Sequence, residues 1–244
     1  MSERSIDVTI MPGLQGAAEA SGTVIVIDVF RAFTVASLAA SRGASVIYPV
    51  SKIETALKLA ETISNPILIG ERHGKRLEGF DYGNSPTELA TADVSGRALI
   101  HTTHAGTNGL CTVAENGLPT EAIFASAFVN ADATVTAIRQ SGATKVSIVP
   151  LGWAGETPTM EDSLCAHYLA AHLTSPDEAP HWSADDLAQR LRNADSSKRF
   201  FDPDQPWAPE SDFDRCCEIN RSSHALRLEE KDTSGFRHLS AISV

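Results

Sequence analysis

Short apolar runs that alternate with helical segments are the feature that most constrains the fold of this 244-residue chain. Each run is nearly continuous and rich in Val and Ile, a pattern typical of strands that are covered on both faces. The runs are "TVIVIDV" (23–29), "SVIYPV" (45–50), "PILIG" (66–70), "RALIHT" (97–102), "AIFAS" (122–126) and "KVSIVPLG" (145–152). We expect all of them to form buried strands.

Segments with helical periodicity lie between most of these runs. They cover residues 31–43, 51–64, 130–142 and 161–173. Gly43 is placed as a C′ glycine, and Gly142 ends the third segment. Ser51 and Glu54 have the spacing of a capping box, and Asn130 suits an N-cap. Alternating strands and helices predict a mainly parallel or mixed sheet with helices on both faces, which is a three-layer α/β/α sandwich.

The composition changes after residue 173, where Pro and Asp become frequent on both sides of a short helical segment. A single α/β domain of this length is common, so we expect one domain over residues 1–244, with residues 174–212 as a peripheral excursion. The tail "HALRLEEKDTSGFRHLSAI" is expected to return to the sheet as one or two edge strands.

The formal net charge of -11 disfavours a nucleic-acid binder, because neutralising phosphate backbones needs clustered Lys and Arg. One local basic pocket can still bind a small anion. No apolar run approaches the roughly 20 residues of a membrane span, and neither a signal-peptide pattern nor a CxxC pair is present. We therefore expect a cytoplasmic protein that binds neither nucleic acid nor membrane, and the sequence leaves a homodimer open.

Four polar clusters each follow the carboxyl end of a predicted strand. In open α/β sheets the ligand site lies outside these ends, and helix N-termini there suit anions. We expect the clusters to form one pocket. Its acids would be Asp28, Glu71, Glu161 and Asp162, its cations Arg31 and Arg72, and its hydroxyl and amide groups Thr102, Thr103, Thr107 and Asn84. Acids beside arginines indicate a hard divalent cation with an anionic substrate.

Each cluster also has a purely structural interpretation. Asp28 at a strand end can cap the next helix. Glu161 and Asp162 can satisfy the dipole of the helix that they begin. Thr hydroxyl groups can stabilise a turn over residues 102–107. The common placement of the clusters at strand ends favours the shared pocket over these separate roles.

The segment "GERHGKRLEGFDYGNSP" (70–86) suggests a second chemistry, because "RHG" resembles the phosphate-binding loop of the histidine phosphatases. In that family a second His-Gly loop carries a partner histidine, and His104 occupies the corresponding place here. His73 would then be the nucleophile. Only 31 positions separate the two histidines (104 minus 73), whereas that family has a long helical region between them. Strand–helix units also precede "RHG" here, which further disfavours this hypothesis.

The remaining motifs resemble one family closely, the 2-phosphosulfolactate phosphatases, which are Mg²⁺-dependent hydrolases with an α/β/α fold. The similar stretches are "VIDVFRAFT" (26–34), "GERHG" followed by "GFDYGNSPTEL" (70–89), "TTHAGT" (102–107), "EDSLCA" (161–166) and, more weakly, "CCEINR" (216–221). The resemblance extends from residue 6 to residue 230 and is weakest over the excursion. In this family the place of His73 is usually Gly.

The resemblance implies hydrolysis of a phosphate monoester on a small anionic acid, in the first instance 2-phosphosulfolactate to sulfolactate and phosphate. It implies these catalytic residues: Asp28, Arg31, Glu71 and Arg72. Mg²⁺ would be held, directly or through water, by Asp28, Glu71, Glu161 and Asp162. The implied substrate-binding residues are Asn84, Ser85, Thr102, Thr103, Gly106 and Thr107. A carboxylate would orient the attacking water, and no covalent phospho-enzyme is required.

The chain departs from the family pattern around its third and fourth motifs. Ala105 stands where Asn is usual, Asn108 where Arg is common, and His104 where Thr is usual. A bulky Trp153 also precedes the fourth motif. Because an anion-binding Arg is missing at position 108, a third hypothesis stays open, a non-catalytic small-anion-binding protein that kept the pocket but lost turnover.

Overall fold

A computed structural model describes residues 5–244 of the chain, so the first four residues of the expected single domain lie outside the described residues. The strands are β1 (Asp7–Ile10), β2 (Gly22–Ile27), β3 (Val46–Pro49), β4 (Ile67–Arg72), β5 (Lys75–Arg76), β6 (Ala98–Thr102), β7 (Thr120–Ser126), β8 (Lys145–Pro150), β9 (His224–Leu228) and β10 (Leu239–Ser243). The helices are α1 (Gly13–Glu19), α2 (Ala32–Ser41), α3 (Ile53–Ala60), α4 (Pro86–Leu89), α5 (Gly106–Glu115), α6 (Ala131–Ser141), α7 (Met160–Thr174), α8 (Ala184–Leu191) and α9 (Glu210–Cys216). Short 3₁₀ helices lie at Phe128–Asn130, Pro176–Glu178 and Asp195–Phe201.

The strands form one mixed sheet in the order β1-β8-β2-β7-β9-β10-β3-β6-β4-β5, and the architecture is the predicted three-layer α/β/α sandwich. All the apolar runs predicted as strands are strands. In β2, the side chains of Val24, Ile25, Val26 and Ile27 are all fully buried. Burial on both faces of a strand removes the polar alternation of a half-exposed strand, which is why these runs are continuously apolar.

The two C-terminal strands lie in the middle of the sheet, so the prediction of edge strands was wrong. β9 pairs antiparallel with β7 and β10, and β10 pairs antiparallel with β3. Ala225, Leu226 and Leu239 are buried there. The two strands therefore lie between two groups of strands that come earlier in the sequence. The mixed polar and apolar residues of the C-terminal segment do not indicate this central position.

The sheet contains two parallel groups of strands that run in opposite directions. Strands β1, β8, β2 and β7 are parallel to one another, and so are β3, β6 and β4. The antiparallel pairs β7–β9, β9–β10 and β10–β3 join the groups and reverse the direction. Helix α5 contacts β2 and β7 of one group and β3 and β6 of the other. It therefore spans the join between the groups.

Helices α2 and α6 end next to their predicted glycines, whereas α3 ends at Ala60, before the predicted end at residue 64. Gly43 and Gly142 have φ values of 86° and 73°, the left-handed conformation that glycine adopts without strain. The predicted capping box at Ser51 is wrong, because α3 begins at Ile53 after Lys52 and has no side-chain cap. Asn130 does not cap α6 with its side chain either, since its Oδ1 accepts a hydrogen bond from the Ala127 N–H instead.

The 174–212 segment packs against the rest of the chain through apolar side chains. Leu187, Leu191 and Phe200 belong to the same buried cluster as the strands. The ring of Phe200 lies 5.1 Å from the ring of Phe30, centroid to centroid, in an edge-to-face contact. This contact places the 3₁₀ helix Asp195–Phe201 over the loop that follows β2. Within residues 5–244, no helix has both the length and the hydropathy that crossing a membrane requires.

Candidate active site

One cleft brings together the loops after β2, β4, β6 and β8, the start of α7 and the 3₁₀ helix Asp195–Phe201. Of the predicted site residues it is lined by Asp28, Arg31, Glu71, Asn84, Glu161 and Asp162. All four predicted acids are therefore in one place. Arg72, Ser85, Thr102, Thr103, Gly106 and Thr107 do not line the cleft. The loops come from strand groups that run in opposite directions, so the rule for a single parallel sheet does not by itself explain their convergence.

Asp28 is a buried carboxylate at the end of β2 that serves both the site and the helix after it. Its Oδ1 accepts a hydrogen bond from the Ala32 N–H at 3.1 Å, in the first turn of α2. The pKa of Asp28 is raised to about 6, chiefly by burial. The nearby carboxylates of Glu71 and Glu161 contribute to the rise, and the Ala32 N–H and Arg199 oppose it. Its other oxygen, Oδ2, accepts no hydrogen bond from residues 5–244.

Glu71 ties the turn after β4 to the loop after β6. Its Oε1 accepts from the His104 N–H at 2.8 Å, and its Oε2 accepts from the Gly74 N–H at 2.7 Å. Two backbone donors hold this carboxylate in a fixed orientation, with 7% of the residue exposed to the cleft.

Asp162 and Glu161 lie in the first turn of α7. Asp162 joins the loops after β2 and β8, because Oδ1 accepts from the Val29 N–H and Oδ2 from the Gly152 N–H, each at 2.8 Å. Burial, together with the charges of Glu161 and Asp28, raises the pKa of Asp162 well above its usual range. Burial also raises the pKa of Glu161, whose Oε2 accepts from the Ser196 hydroxyl at 2.5 Å.

Arg31 lines the cleft, but its guanidinium is held from behind. Nη1 donates to Asp212 Oδ2 at 2.7 Å and to the Trp207 carbonyl at 2.8 Å, and Nη2 donates to the Gly74 carbonyl at 3.1 Å. Arg31 and Asp212 are 2% and 0% exposed, so this is a fully buried ion pair. The pair fixes a positive charge at the cleft wall.

Arg72 lies behind the wall of the cleft. Its guanidinium donates to the Glu71 carbonyl, the Ser51 carbonyl and Thr102 Oγ1 at 2.7–3.1 Å. Successive side chains of a strand point to opposite faces, so Glu71 and Arg72 at the end of β4 cannot both face the cleft. In this structure Arg72 and Thr102 support the strand end that carries Glu71.

The hydroxyl groups predicted to bind substrate are used within the loops. Ser85 caps α4, since its Oγ accepts from the Glu88 N–H at 3.1 Å while donating to Asp212 Oδ1 at 2.7 Å. Thr103 and Thr107 each accept a hydrogen bond from the other's backbone N–H, at 3.1 and 2.8 Å. These contacts fix the turn that leads into α5.

Asn84 is oriented by a buried histidine. Its Oδ1 lies 3.1 Å from His101 Nε2. Burial lowers the pKa of His101 to about 4, so the ring is neutral at neutral pH. Since an amide oxygen only accepts, Nε2 carries the proton and donates. The amide nitrogen of Asn84 is thereby left as a donor at the cleft wall.

Gly106 permits the close approach of α5 to Asp28. A Cβ atom at this position would lie 2.6 Å from Ala32 Cβ and 2.8 Å from Asp28 Oδ2. Both distances are shorter than van der Waals contact, so the start of α5 can lie beside the Asp28 carboxylate only with glycine at position 106. Gly106 shapes the wall next to the cleft.

His73 and His104 meet at the mouth of the cleft. Their rings are perpendicular, with centroids 5.3 Å apart, and both residues line the cleft. His73 is exposed and has a φ of 55°, in the left-handed region that favours glycine. The turn between β4 and β5 therefore holds the backbone of His73 in a left-handed conformation that glycine would adopt with less strain.

Arg199 also lines the cleft, although it was not among the predicted site residues. It lies in the 3₁₀ helix Asp195–Phe201, within the segment interpreted as a peripheral excursion. Its Nη2 donates to the Phe30 carbonyl at 2.7 Å, next to Asp28 and Arg31 in sequence and space. Arg199 follows neither a predicted strand nor a family motif, so the criterion used for the other site residues, a position at a strand end, does not apply to it.

The donor set of the cleft is suited to a hard cation. Four carboxylates are buried together, and burial, with a smaller contribution from their mutual repulsion, raises the pKa of Asp28 and of Asp162. Among residues 5–244, however, no three acidic, histidine or cysteine side chains already form a group that could hold an ion. Both oxygens of Glu71 and of Asp162 accept backbone hydrogen bonds, and Oε2 of Glu161 accepts one from Ser196. Asp28 Oδ2 accepts none from residues 5–244, so it is free to ligate an ion. An ion with few protein ligands and several waters, the usual arrangement for Mg²⁺, fits this cleft.

Comparison with known proteins identifies the chain's relatives. The sequence profile of the family described as 2-phosphosulpholactate phosphatase matches residues 10–231. A protein of Bacillus subtilis (strain 168) named "Probable 2-phosphosulfolactate phosphatase" is 31% identical over 208 residues, covering 84% of this chain and 86% of the relative. A Prochlorococcus marinus protein of the same name is 30% identical, with 82% and 86% covered. A Thermoplasma volcanium protein, also of that name, is 31% identical, with 69% and 74% covered.

The matched region contains all four acids of the cleft, the buried Arg31–Asp212 pair and Arg199. The resemblance noted in the sequence motifs is therefore confirmed over most of the chain. This chain belongs to the 2-phosphosulpholactate phosphatase family of phosphoric monoester hydrolases.

Proposed function

We propose that the chain hydrolyses 2-phosphosulfolactate to sulfolactate and phosphate with the help of Mg²⁺. The observation that carries this proposal is the convergence of four buried carboxylates and two guanidinium groups in one cleft. The acids supply oxygen ligands for a hard cation, and the guanidinium groups supply positive charge for an anionic ester. The names of the relatives support the choice of substrate.

Asp28 Oδ2 would be a direct ligand of Mg²⁺, with Glu71 and Asp162 acting directly or through water and Glu161 acting through water. When bound, Mg²⁺ would offset negative charge on the phosphoryl oxygens and on the leaving oxygen. Arg31 supplies a second positive charge, fixed in place by Asp212. The amide nitrogen of Asn84, oriented by His101, would donate a hydrogen bond to the anionic ester. Glu161, whose pKa is raised by burial, is suited to orient the attacking water and accept its proton.

The proposed activity is tested by metal removal. Protein treated with EDTA is expected to release phosphate from 2-phosphosulfolactate at least about 100-fold more slowly, and added Mg²⁺ should restore the rate, because the buried carboxylates would otherwise face the anionic ester without a counter-ion. 2-Phospholactate serves as a matched substrate without the sulfonate. Metal-independent hydrolysis would contradict the Mg²⁺ proposal. If no ester is hydrolysed while phosphate still raises the melting temperature, the non-catalytic anion-binding hypothesis is correct.

The variant His73→Gly separates this mechanism from that of a histidine phosphatase. We expect its kcat to stay within about threefold of that of the unchanged chain, since substitutions of exposed side chains outside the chemistry change free energies by roughly 0.5 kcal/mol. Glycine also relieves the left-handed φ at this position, so the melting temperature should not fall. A loss of phosphate release to background in His73→Gly would instead make His73 the nucleophile.

A further inference from the structure

Arg199 has a buried donor that the structure does not use. Its Nη2 donates to the Phe30 carbonyl at 2.7 Å, but its Nε is buried without a hydrogen-bond partner among residues 5–244. A buried N–H group is normally paired, because leaving it unpaired forfeits the hydrogen bonds that it makes with water. An acceptor supplied by a bound ligand would satisfy Nε.

The guanidinium of Arg199 stands among the charged groups of the cleft. Burial raises the pKa of Asp28 and of Glu161, and the positive charge of Arg199 opposes both rises, so the guanidinium lies close to both acids. Its own pKa is lowered by burial and by the charge of Arg31. Two guanidinium groups side by side next to buried acids repel each other, and a doubly charged phosphate ester between them would relieve that repulsion.

The other arginines near the cleft are already engaged. Arg31 makes hydrogen bonds to Asp212, to Trp207 and to Gly74, and Arg72 is bound to backbone and hydroxyl oxygens behind the wall. Arg199 makes one hydrogen bond to the part of the chain that the structure describes. Its guanidinium otherwise contacts aromatic rings, lying 5.4 Å from the ring centroid of Trp153 and 5.0 Å from that of Phe200. These rings hold the guanidinium without using its N–H groups.

We propose that Arg199 is a catalytic residue that donates hydrogen bonds to the phosphoryl oxygens of the substrate. This inference rests on the proposed phosphatase function. It deepens that function by assigning the binding of the phosphoryl oxygens to a residue outside the recognised motifs. The 3₁₀ helix Asp195–Phe201 would thereby serve the site twice, through Arg199 on the substrate and through Ser196 on Glu161.

The test compares Arg199→Met and Arg199→Lys with the control Arg192→Met. Arg192 lies in the same 174–212 segment and also stacks on an aromatic ring, that of Phe201, but it is 56% exposed and lies outside the cleft. We expect Arg199→Met to lower kcat by about 100- to 1000-fold, the usual effect of removing a donor to developing negative charge. The inhibition constant of inorganic phosphate should rise at least about 10-fold, because the ground-state anion loses the same donor.

Arg199→Lys should lie between the wild type and Arg199→Met, since lysine keeps the charge but not the planar fork of donors. Unchanged kcat and unchanged phosphate inhibition in Arg199→Met would overturn the inference while leaving the proposed function intact. If the wild type hydrolyses no ester but phosphate raises its melting temperature and not that of Arg199→Met, the function fails and the anion contact of Arg199 stands. If phosphate neither inhibits nor stabilises the wild type, both fail. Should Arg199→Met not fold by circular dichroism, Arg199→Lys decides, and wild-type kcat in that variant overturns the inference.

Discussion

Asp28→Asn is expected to lose activity and gain stability at the same time. The amide keeps the shape of the carboxylate and can still accept the hydrogen bond from the Ala32 N–H, so the loop after β2 should be preserved. It removes the negative charge that we propose as a direct ligand of Mg²⁺. We expect kcat for phosphate release to fall by about 1000-fold or more, because the variant loses a proposed metal ligand together with its negative charge.

The gain in stability follows from the raised pKa of Asp28. Burial moves this pKa from 3.8 to about 6 in the folded protein, so between these values the folded state binds more protons than the unfolded state. The stability contributed by the protonated carboxyl is fully present below pH 3.8 and is lost as the pH rises through about 6. Asparagine stays neutral at every pH. In EDTA at about pH 7.5 the variant should therefore be more stable by on the order of 1–3 kcal/mol, with no advantage at about pH 3.5.

Thermal unfolding of both proteins in EDTA across this pH range measures the effect. Adding Mg²⁺ should raise the melting temperature of the wild type more than that of Asp28→Asn, since a ligand stabilises the state that binds it. Asp93→Asn is the control, because Asp93 is exposed and lies outside the cleft. A metal-free Asp28→Asn that melts below the wild type at neutral pH would show that the Asp28 charge is not costly, and full activity would remove Asp28 from the mechanism.

Much of the fold could be predicted because its strands are buried on both faces. Full burial of Val24 to Ile27 requires a continuous apolar run, and such runs are visible in a single sequence. The four acids could be predicted for a related reason, since each lies in a polar cluster directly after such a run or at a helix start. Their convergence was predicted correctly, although the strands that carry them belong to two groups of opposite direction.

What could not be predicted depends on contacts between distant parts of the chain. The central position of β9 and β10 depends on strands formed more than a hundred residues earlier, and no local periodicity encodes that pairing. Ser85 was expected to bind substrate, but its hydroxyl is bound to Asp212, 127 positions away. Arg199 reaches the cleft from a segment whose composition resembles a surface loop. Side-chain partners across such distances are set by packing, which the sequence pattern does not show.

Asp212→Ala is expected to destabilise the folded chain strongly. The Asp212 carboxylate is fully buried in α9 and accepts hydrogen bonds from Arg31 Nη1 and Ser85 Oγ at 2.7 Å and from the Thr87 N–H at 3.0 Å. Its removal leaves the buried charge of Arg31 without a counter-ion and the other donors unpaired. We expect the free energy of unfolding to fall by about 3–5 kcal/mol, the usual cost of breaking a buried ion pair from one side.

Urea denaturation measures this loss, with Asp214→Ala as the matched control. Asp214 lies on the same helix but is exposed, so its removal should change stability by less than about 0.5 kcal/mol. The double variant Arg31→Met/Asp212→Leu should recover most of the stability, because two apolar side chains can replace a buried ion pair at little cost. It should remain inactive, since the cleft has lost the fixed charge of Arg31. If the double variant were as unstable as Asp212→Ala, the unpaired Arg31 charge would not be the cause of the instability, and if it were active, Arg31 would have no part in hydrolysis.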